Sequence, residues 1–293
     1  MYDGRAPRQA ILVTGSARLD AFRQAGESLA GRYFSWHLLP VTVHELVATT
    51  DTAPEEALNR LLIRGGGFPE PLLADADARR WRQLYLDGLI RDDILEFSRI
   101  AEVQAMRLFV QMLRERVGSP VSLASMARDL QLSPTTLSRY LGILETLHIV
   151  LIVRPFYRNI ARALLKEPKV YFYDTGLVKG DDGIRFENAC ATMLQAEVQR
   201  RRDAEGQEAT LHYIRDKEGR EIDFVVCDAD QPTELVECKW SDAAVPRYLA
   251  ATAARFPKAR ATLLVRHLRH REQRGAVAVE PVAPWLADLG AGH

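Results

Sequence analysis

Two carboxylates and a lysine fall on consecutive segments near the C-terminus whose patterns are typical of strands. Asp223 lies in the opening part of the mostly apolar segment 221–226, and Glu237 and Lys239 lie two residues apart in the next segment. Alternate residues of a strand project from the same face, so Glu237 and Lys239 are expected on one face, and a hairpin would bring Asp223 beside them. A carboxylate in an apolar strand is costly unless it is paired. The spacing therefore predicts a charged site at this hairpin.

This set of side chains suits hydrolysis of a phosphodiester. Asp223 and Glu237 supply the hard oxygen ligands that Mg²⁺ or Mn²⁺ prefers, and the backbone carbonyl of Cys238 is a candidate further ligand. Lys239 beside them can position or deprotonate the attacking water, or offset charge in the transition state. The alternative interpretation is a solvated strand face, on which Glu and Lys at this spacing are common.

At these residues the chain resembles the PD-(D/E)xK, or restriction-endonuclease-like, superfamily, in which an Asp precedes a Glu-x-Lys on the adjacent strand of a hairpin. An acidic residue on the preceding helix often completes the metal site in that superfamily, and Glu187 matches it by position. The resemblance implies that Asp223, Glu237, Lys239 and Glu187 are catalytic. It also implies that the same carboxylates bind the metal. Binding and scaffold functions can outlive chemistry on such folds, so a non-catalytic domain stays open.

The resemblance extends over nearly the whole chain, to prokaryotic AAA-type ATPases with a C-terminal winged helix and a nuclease-like domain of unassigned function. It is carried by the segments 11–16 (ILVTGS), 27–33 (ESLAGRY), 39–40 (LP), 66–70 (GGFPE) and 173–177 (YDTGL). The resemblance implies that Thr14 and Ser16 end a sensor strand beside the nucleotide and that Arg32 faces a phosphate.

The chain departs from these ATPases at the phosphate-binding loop. None of its 18 glycines is followed by lysine, so the Gly-x₄-Gly-Lys-Ser/Thr pattern is absent. We therefore expect no ATP hydrolysis by this chain alone, and ATP as a cofactor only if missing sequence or a partner supplies the loop. Met1 is then an internal methionine of a longer ATPase.

A helix-turn-helix pattern precedes the nuclease-like segment. Ser122 can cap a short helix through Leu130, and Ser133 followed by a proline can start a second helix that reaches about Thr146. The second helix would expose Thr135, Thr136, Ser138 and Arg139 toward a DNA groove, and a wing between two strands would place Arg158 and Arg162 on phosphates. The alternative is a module that only packs between domains.

The remaining pattern predicts a multidomain α/β protein with a mixed sheet in its C-terminal part. Helices are expected at about 42–48, 54–64, 75–96, 101–117, 184–202 and 243–255; strands are expected at about 9–13, 149–153, 170–173, 209–215, 221–228, 233–238 and 261–265. A rigid turn is expected at 64–69. The predicted units are a remnant of an ATPase domain (1–50), a helical lid-like region (51–117), a winged helix-turn-helix (118–178) and a nuclease-like domain (179–293).

Composition restricts the function only weakly. The 39 basic and 39 acidic residues balance, so attraction to nucleic acid must come from local patches. The three cysteines fit neither a disulfide framework nor a CxxC knuckle, and no apolar run is long enough to span a membrane, so we expect a cytoplasmic protein. The leading hypothesis is a DNA-binding, Mg²⁺-dependent nuclease. Its rivals are a non-catalytic DNA-binding or regulatory protein and an ATPase-partner subunit that assembles as a homo-oligomer or with a full-length relative.

Overall fold

The computed structural model describes residues 12–15, 33–73, 77–95, 100–156, 166–241 and 244–290. In these ranges the chain forms a helical N-terminal part and an eight-stranded mixed sheet. The expected α/β class is therefore confirmed.

The helical part contains seven helices. They are α1 (Val43–Thr50), α2 (Pro54–Arg64), α3 (Pro69–Leu73), α4 (Ala78–Leu95), α5 (Ile100–Arg114), α6 (Leu123–Asp129) and α7 (Pro134–Thr146). Helix α2 has the predicted bounds because Pro54 occupies its first turn and Gly65, at φ 81°, ends it in the left-handed region. Serines cap α6 and α7, since the Ser122 and Ser133 hydroxyls accept from the amides three residues on.

The sheet follows in the C-terminal half. Its strands are β1 (Val150–Pro155), β2 (Lys169–Phe172), β3 (Ala209–Arg215), β4 (Glu221–Asp228), β5 (Gln231–Lys239), β6 (Arg260–Val265), β7 (Glu272–Arg274) and β8 (Val277–Pro281). The other elements are a 3₁₀ turn at Thr175–Leu177 and the helices α8 (Asp182–Glu205), α9 (Arg247–Arg255) and α10 (Val282–Asp288). The spatial order is β2-β1-β3-β4-β5-β6-β8-β7.

The strands after the helix-turn-helix are joined to the rest of the sheet. β1 pairs antiparallel with β2 and also pairs in parallel with β3 through Arg154 and Pro155. β3, β4 and β5 form an antiparallel meander, and β6 and β8 continue it in parallel. The sheet therefore crosses the predicted boundary between residues 178 and 179, whose place stays a prediction.

Alternating side chains divide the sheet between two buried clusters. Phe224 and Val236 belong to the larger cluster, which includes the apolar face of α8 and the helical part. Val225 and Leu235 belong to a second cluster with Leu249 of α9. The sheet is thus covered by α8 on one face and by α9 on the other, as its apolar central strands require.

Two segments singled out in the sequence pack against each other. The glycine turn ends α2, and Gly65 accepts a hydrogen bond of 2.6 Å from the amide of Gly176 in the 3₁₀ turn. The Arg82 guanidinium, on α4, donates to both Asp174 oxygens at 2.8 and 2.9 Å. A methyl group on Gly65 would lie 2.6 Å from the Gly176 Cα, so this close approach requires glycine. We call this contact of Gly65, Arg82, Asp174 and Gly176 the Asp174 junction.

Two expectations for the N-terminal part need correction. The strand expected at 9–13 is not formed at Leu12 and Val13, which are exposed and irregular; residues 9–11 lie outside the described ranges. A strand needs a partner for its backbone groups, and none pairs with these two residues. The turn after α2 is also shorter than expected, because Pro69 starts α3 instead of ending the turn.

Candidate charged site at the β4–β5 hairpin

The β4–β5 hairpin brings together the three residues that the sequence singled out. The regular ladder ends at Phe224 and Val236, one residue short of Asp223 and Glu237. Beyond it the Asp223 amide donates to Glu237 Oε2 at 3.4 Å, and the Cys238 amide donates to Asp223 Oδ2 at 2.9 Å. The two carboxylates thus accept backbone hydrogen bonds where the ladder stops.

A β-bulge in β4 helps to aim Asp223. Tyr213 of β3 lies opposite both Asp223 and Phe224, because His212 pairs with Val225 and Ile214 pairs with Ile222. An extra residue of this kind bends the strand and redirects its side chains, and bulges occur often next to functional sites. Asp223 is 8% exposed and Glu237 is 5% exposed, so both carboxylates are buried.

Lys239 lies at the outer side of this pair. Its ammonium donates to Glu237 Oε1 at 2.7 Å, and its side chain is 40% exposed. The alternation argument placed these two residues on one face, and the contact agrees with that placement. Cys238 contributes its amide to Asp223, whereas metal ligation by its carbonyl stays a prediction.

Helix α8 supplies Glu187. An Asp181 side chain caps the helix, and Glu187 lies in its second turn. Glu187 Oε1 accepts from the Tyr171 hydroxyl at 2.7 Å. Gly118, at φ 75°, covers this carboxylate so closely that a methyl group there would lie 3.0 Å from Oε1.

Lys169 is the residue of this site that the sequence analysis missed. It begins β2, its side chain is 0% exposed, and its ammonium lies 2.5 Å from Glu221 Oε1, 3.3 Å from Glu187 Oε1 and 3.6 Å from Asp223 Oδ1. The sequence analysis had counted Lys169 among the basic residues of the wing loop. A signal was present, since a lysine in the apolar strand Lys169–Phe172 must find carboxylates if it is buried.

We call Lys169, Glu187, Glu221, Asp223, Glu237 and Lys239 the charged cluster. It holds four carboxylates and two ammonium groups. Burial and the neighbouring Asp223 raise the pKa of Glu187 to about 7, and they raise that of Glu237 to about 7 as well. At least one carboxylate of this site was expected to have a raised pKa, because carboxylates packed together repel each other.

The Lys169 ammonium is held in its charged form. Burial lowers the pKa of Lys169, but the nearby Glu187, Asp223 and Glu221 outweigh burial and raise the pKa above its ordinary value. Lys239 follows the same pattern, because Glu237 and Asp223 overcome its partial burial and raise its pKa. The cluster therefore contains two permanent positive charges at neutral pH.

This arrangement does not fit a magnesium ion. Mg²⁺ requires oxygen ligands at about 2.1 Å in octahedral geometry. Here Glu187, Glu221 and Asp223 surround an ammonium, and both Glu237 oxygens are occupied by N–H donors. Among the residues that the structure describes, no group of three or more His, Cys, Asp or Glu side chains is placed to hold a metal ion.

The helix-turn-helix presents part of the expected polar face. Thr135, Ser138 and Arg139 of α7 are exposed, whereas Thr136 is half-buried and its hydroxyl bonds to Ser133. The Arg139 guanidinium lies 3.1 Å from Glu102 of α5. Arg158 and Arg162, the expected wing residues, lie outside the described residues.

The residues assigned to a nucleotide by resemblance remain undecided. Thr14 is exposed and irregular, and Ser16 and Arg32 lie outside the described residues. No helix in the described part of the chain is long and apolar enough to cross a membrane.

Comparisons with known proteins place the chain near domains without an assigned role. Residues 55–184 match a domain of unknown function, DUF8612, and residues 182–283 match another, DUF4143, which is commonly found in AAA-ATPase-associated proteins of bacteria. The border between the two matches falls at the start of α8. No solved structure matches the chain.

Two mycobacterial proteins are similar over part of their length. The chain is 32% identical over 169 residues to the uncharacterized protein Rv2008c of Mycobacterium tuberculosis and, to the same extent, to the uncharacterized protein Mb2031c of Mycobacterium bovis. The match covers 57% of this chain and 37% of each relative. The chain thus spans little more than a third of the length of the relatives it matches.

Proposed function

We propose that this chain is a DNA-binding protein in which a winged helix-turn-helix is joined to a PD-(D/E)xK-like domain, and that its charged cluster works without a metal ion. The observation that carries the DNA-binding role is the exposed polar face of α7, with Thr135, Ser138 and Arg139 in successive turns. The strands β1 and β2 follow this helix, as the wing of such a module does.

Arg139 is placed to exchange a protein partner for a phosphate. Its side chain is 52% exposed and that of Glu102 is 34% exposed, so their ion pair contributes about 0–1 kcal/mol. A DNA phosphate can replace Glu102 at little cost, and Glu102 itself would repel the DNA backbone.

This competition provides a test with opposite signs. Arg139→Ala should weaken DNA binding across all sequences and flatten the salt slope by about one unit. Glu102→Ala should tighten binding, because it removes both the competitor and a negative charge. Arg247→Ala is the matched control, since Arg247 is an exposed helical arginine on α9. Fluorescence anisotropy at several salt concentrations measures all three. If Arg139→Ala and Glu102→Ala both behave like the control, α7 is a packing element.

The non-catalytic part of the proposal has a direct rival. The convergence of Asp223, Glu237 and Lys239 favours a metal-dependent phosphodiesterase as a second candidate function. The rival requires Mg²⁺ or Mn²⁺ to enter the charged cluster, whereas the buried Lys169 ammonium supports a cluster already balanced by its own cations. We expect wild type and Asp223→Asn to show the same background on linear, circular and single-stranded DNA in either metal. Cleavage that needs the metal and is lost in Asp223→Asn would establish the rival.

A further inference from the structure

We infer that Lys169 is a built-in cation that closes the charged cluster to divalent metals, so that replacing this one side chain by a neutral one creates a metal site. The inference rests on the non-catalytic part of the proposed function and is independent of DNA binding. It concerns one position on β2, remote in sequence from the Asp and Glu-x-Lys motif.

The geometry around Lys169 suits an ammonium. Its three carboxylate neighbours lie 2.5, 3.3 and 3.6 Å from the nitrogen, so the latter two lie more than an ångström beyond the ~2.1 Å of a magnesium–oxygen bond. The oxygens come from two elements, Glu187 from α8 and Glu221 and Asp223 from β4, so they surround the cation from different sides.

The surroundings also retain the ammonium. The backbone of Lys169 pairs with Val153 of β1, and Pro120 forms a bridge to it from the other side. The Tyr213 ring lies 5.6 Å from the ammonium, within the range of a cation–π contact. A cation tied to a paired strand and shielded from water has little to gain by leaving, and a metal would first have to lose its own hydration shell.

Removing the ammonium changes the charge balance in favour of a metal. Without Lys169, the cluster keeps four carboxylates and only Lys239 as an ammonium group. Glu187, Glu221 and Asp223 then surround a cavity about the size of the lysine head group. Carboxylates in such a place need protons or a cation, and Mn²⁺ supplies two charges with oxygen ligands it prefers.

The test compares Lys169→Met with wild type in Mn²⁺. Methionine has nearly the length of lysine without its charge. Lys169→Met should bind Mn²⁺ saturably by electron paramagnetic resonance, and Mn²⁺ should raise its melting temperature by about 5 °C, while wild type shows neither effect. Lys169→Met combined with Asp223→Asn should lose most of the gain.

Two controls separate position from charge. Lys239→Met removes the same charge from the exposed side of the cluster, and Lys169→Arg keeps a buried cation. Neither should gain a response to Mn²⁺. If Lys239→Met gains as much as Lys169→Met, net charge explains the effect and the inference is wrong.

Each remaining outcome also decides. Saturable Mn²⁺ binding by wild type overturns the inference, and metal-dependent cleavage by wild type overturns the proposed function as well. A folded Lys169→Met without a response leaves the proposed function standing and removes the inference. If Lys169→Met folds only when Mn²⁺ is present, the inference is supported; if it stays unfolded with and without Mn²⁺, the ammonium does something that a metal cannot replace, and the inference fails.

Discussion

Loss of the arginine in the Asp174 junction should destabilise the protein strongly. The Arg82 and Asp174 side chains are 11% and 3% exposed, and Arg82→Ala leaves the carboxylate buried without its counterion. Breaking a buried pair in this way costs about 3–5 kcal/mol. The matched control is Arg107→Ala, whose pair with Asp87 has side chains 42% and 37% exposed and should contribute about 0–1 kcal/mol.

The loss should also depend on pH. Burial raises the pKa of Asp174 even with Arg82 beside it, and removing Arg82 raises the pKa further. The folded variant therefore binds a proton more tightly than its unfolded chain. This contribution to its stability is present at low pH and lost as pH rises. Arg82→Ala should thus cost most at pH 8 and less at pH 5.

Urea denaturation of wild type and both variants at the two pH values measures these differences. The Arg82→Ala, Asp174→Asn double variant should recover part of the loss at pH 8, because it no longer buries a charge. A loss at pH 8 no larger than that of Arg107→Ala, or a loss that grows toward pH 5, would refute the account of the Asp174 junction.

Three further outcomes are expected. The free energy of unfolding of wild type should fall between pH 5 and pH 8, by at most about 3 kcal/mol per group, because Glu187 and Glu237 hold their protons up to a pKa of about 7 only in the folded state; denaturation curves that show a rise over this range contradict it. Gly176→Ala should lower the melting temperature, since its methyl group would collide with the guanidinium of the Asp174 junction, whereas Gly142→Ala, in open space on α7, should leave it unchanged or raise it; equal melting temperatures would remove the steric argument. Asn188→Ala should cost about 1–3 kcal/mol for each backbone group of β2 that it leaves unsatisfied, and hydrogen exchange of β2 should accelerate; unchanged exchange would show that other groups hold the strand.

Elements with local signals were predictable from the sequence. Helix α2 and strands β3 and β4 have the predicted bounds, because proline and glycine mark the helix ends and alternation or apolar runs mark the strands. The strands β7 and β8 and helix α10 were not predicted. β7 has only three residues, and it forms a strand because it pairs with β8 across a turn at Gly275.

The charged cluster was predictable only where its members are near in sequence. Asp223, Glu237 and Lys239 belong to one hairpin, so strand geometry alone brings them together. Lys169 reaches the same place through the pairing of β2 with β1 and of β1 with β3, which no local pattern specifies. The β-bulge opposite Tyr213 is likewise a property of the paired strands.

Neighbouring residues of α8 hold two different properties of β2. Glu187 contacts the Lys169 ammonium, and the Asn188 amide accepts from the Phe172 N–H at 2.8 Å and donates to the Phe172 carbonyl at 2.9 Å. The Asn188 contact fixes the register of this edge strand against the helix. A slip by one residue would turn every side chain of β2 to the opposite face and bring Val170 or Pro168 to the place of Lys169. The charge of the cluster is therefore set in a single step by strand register, with no intermediate positions for the ammonium.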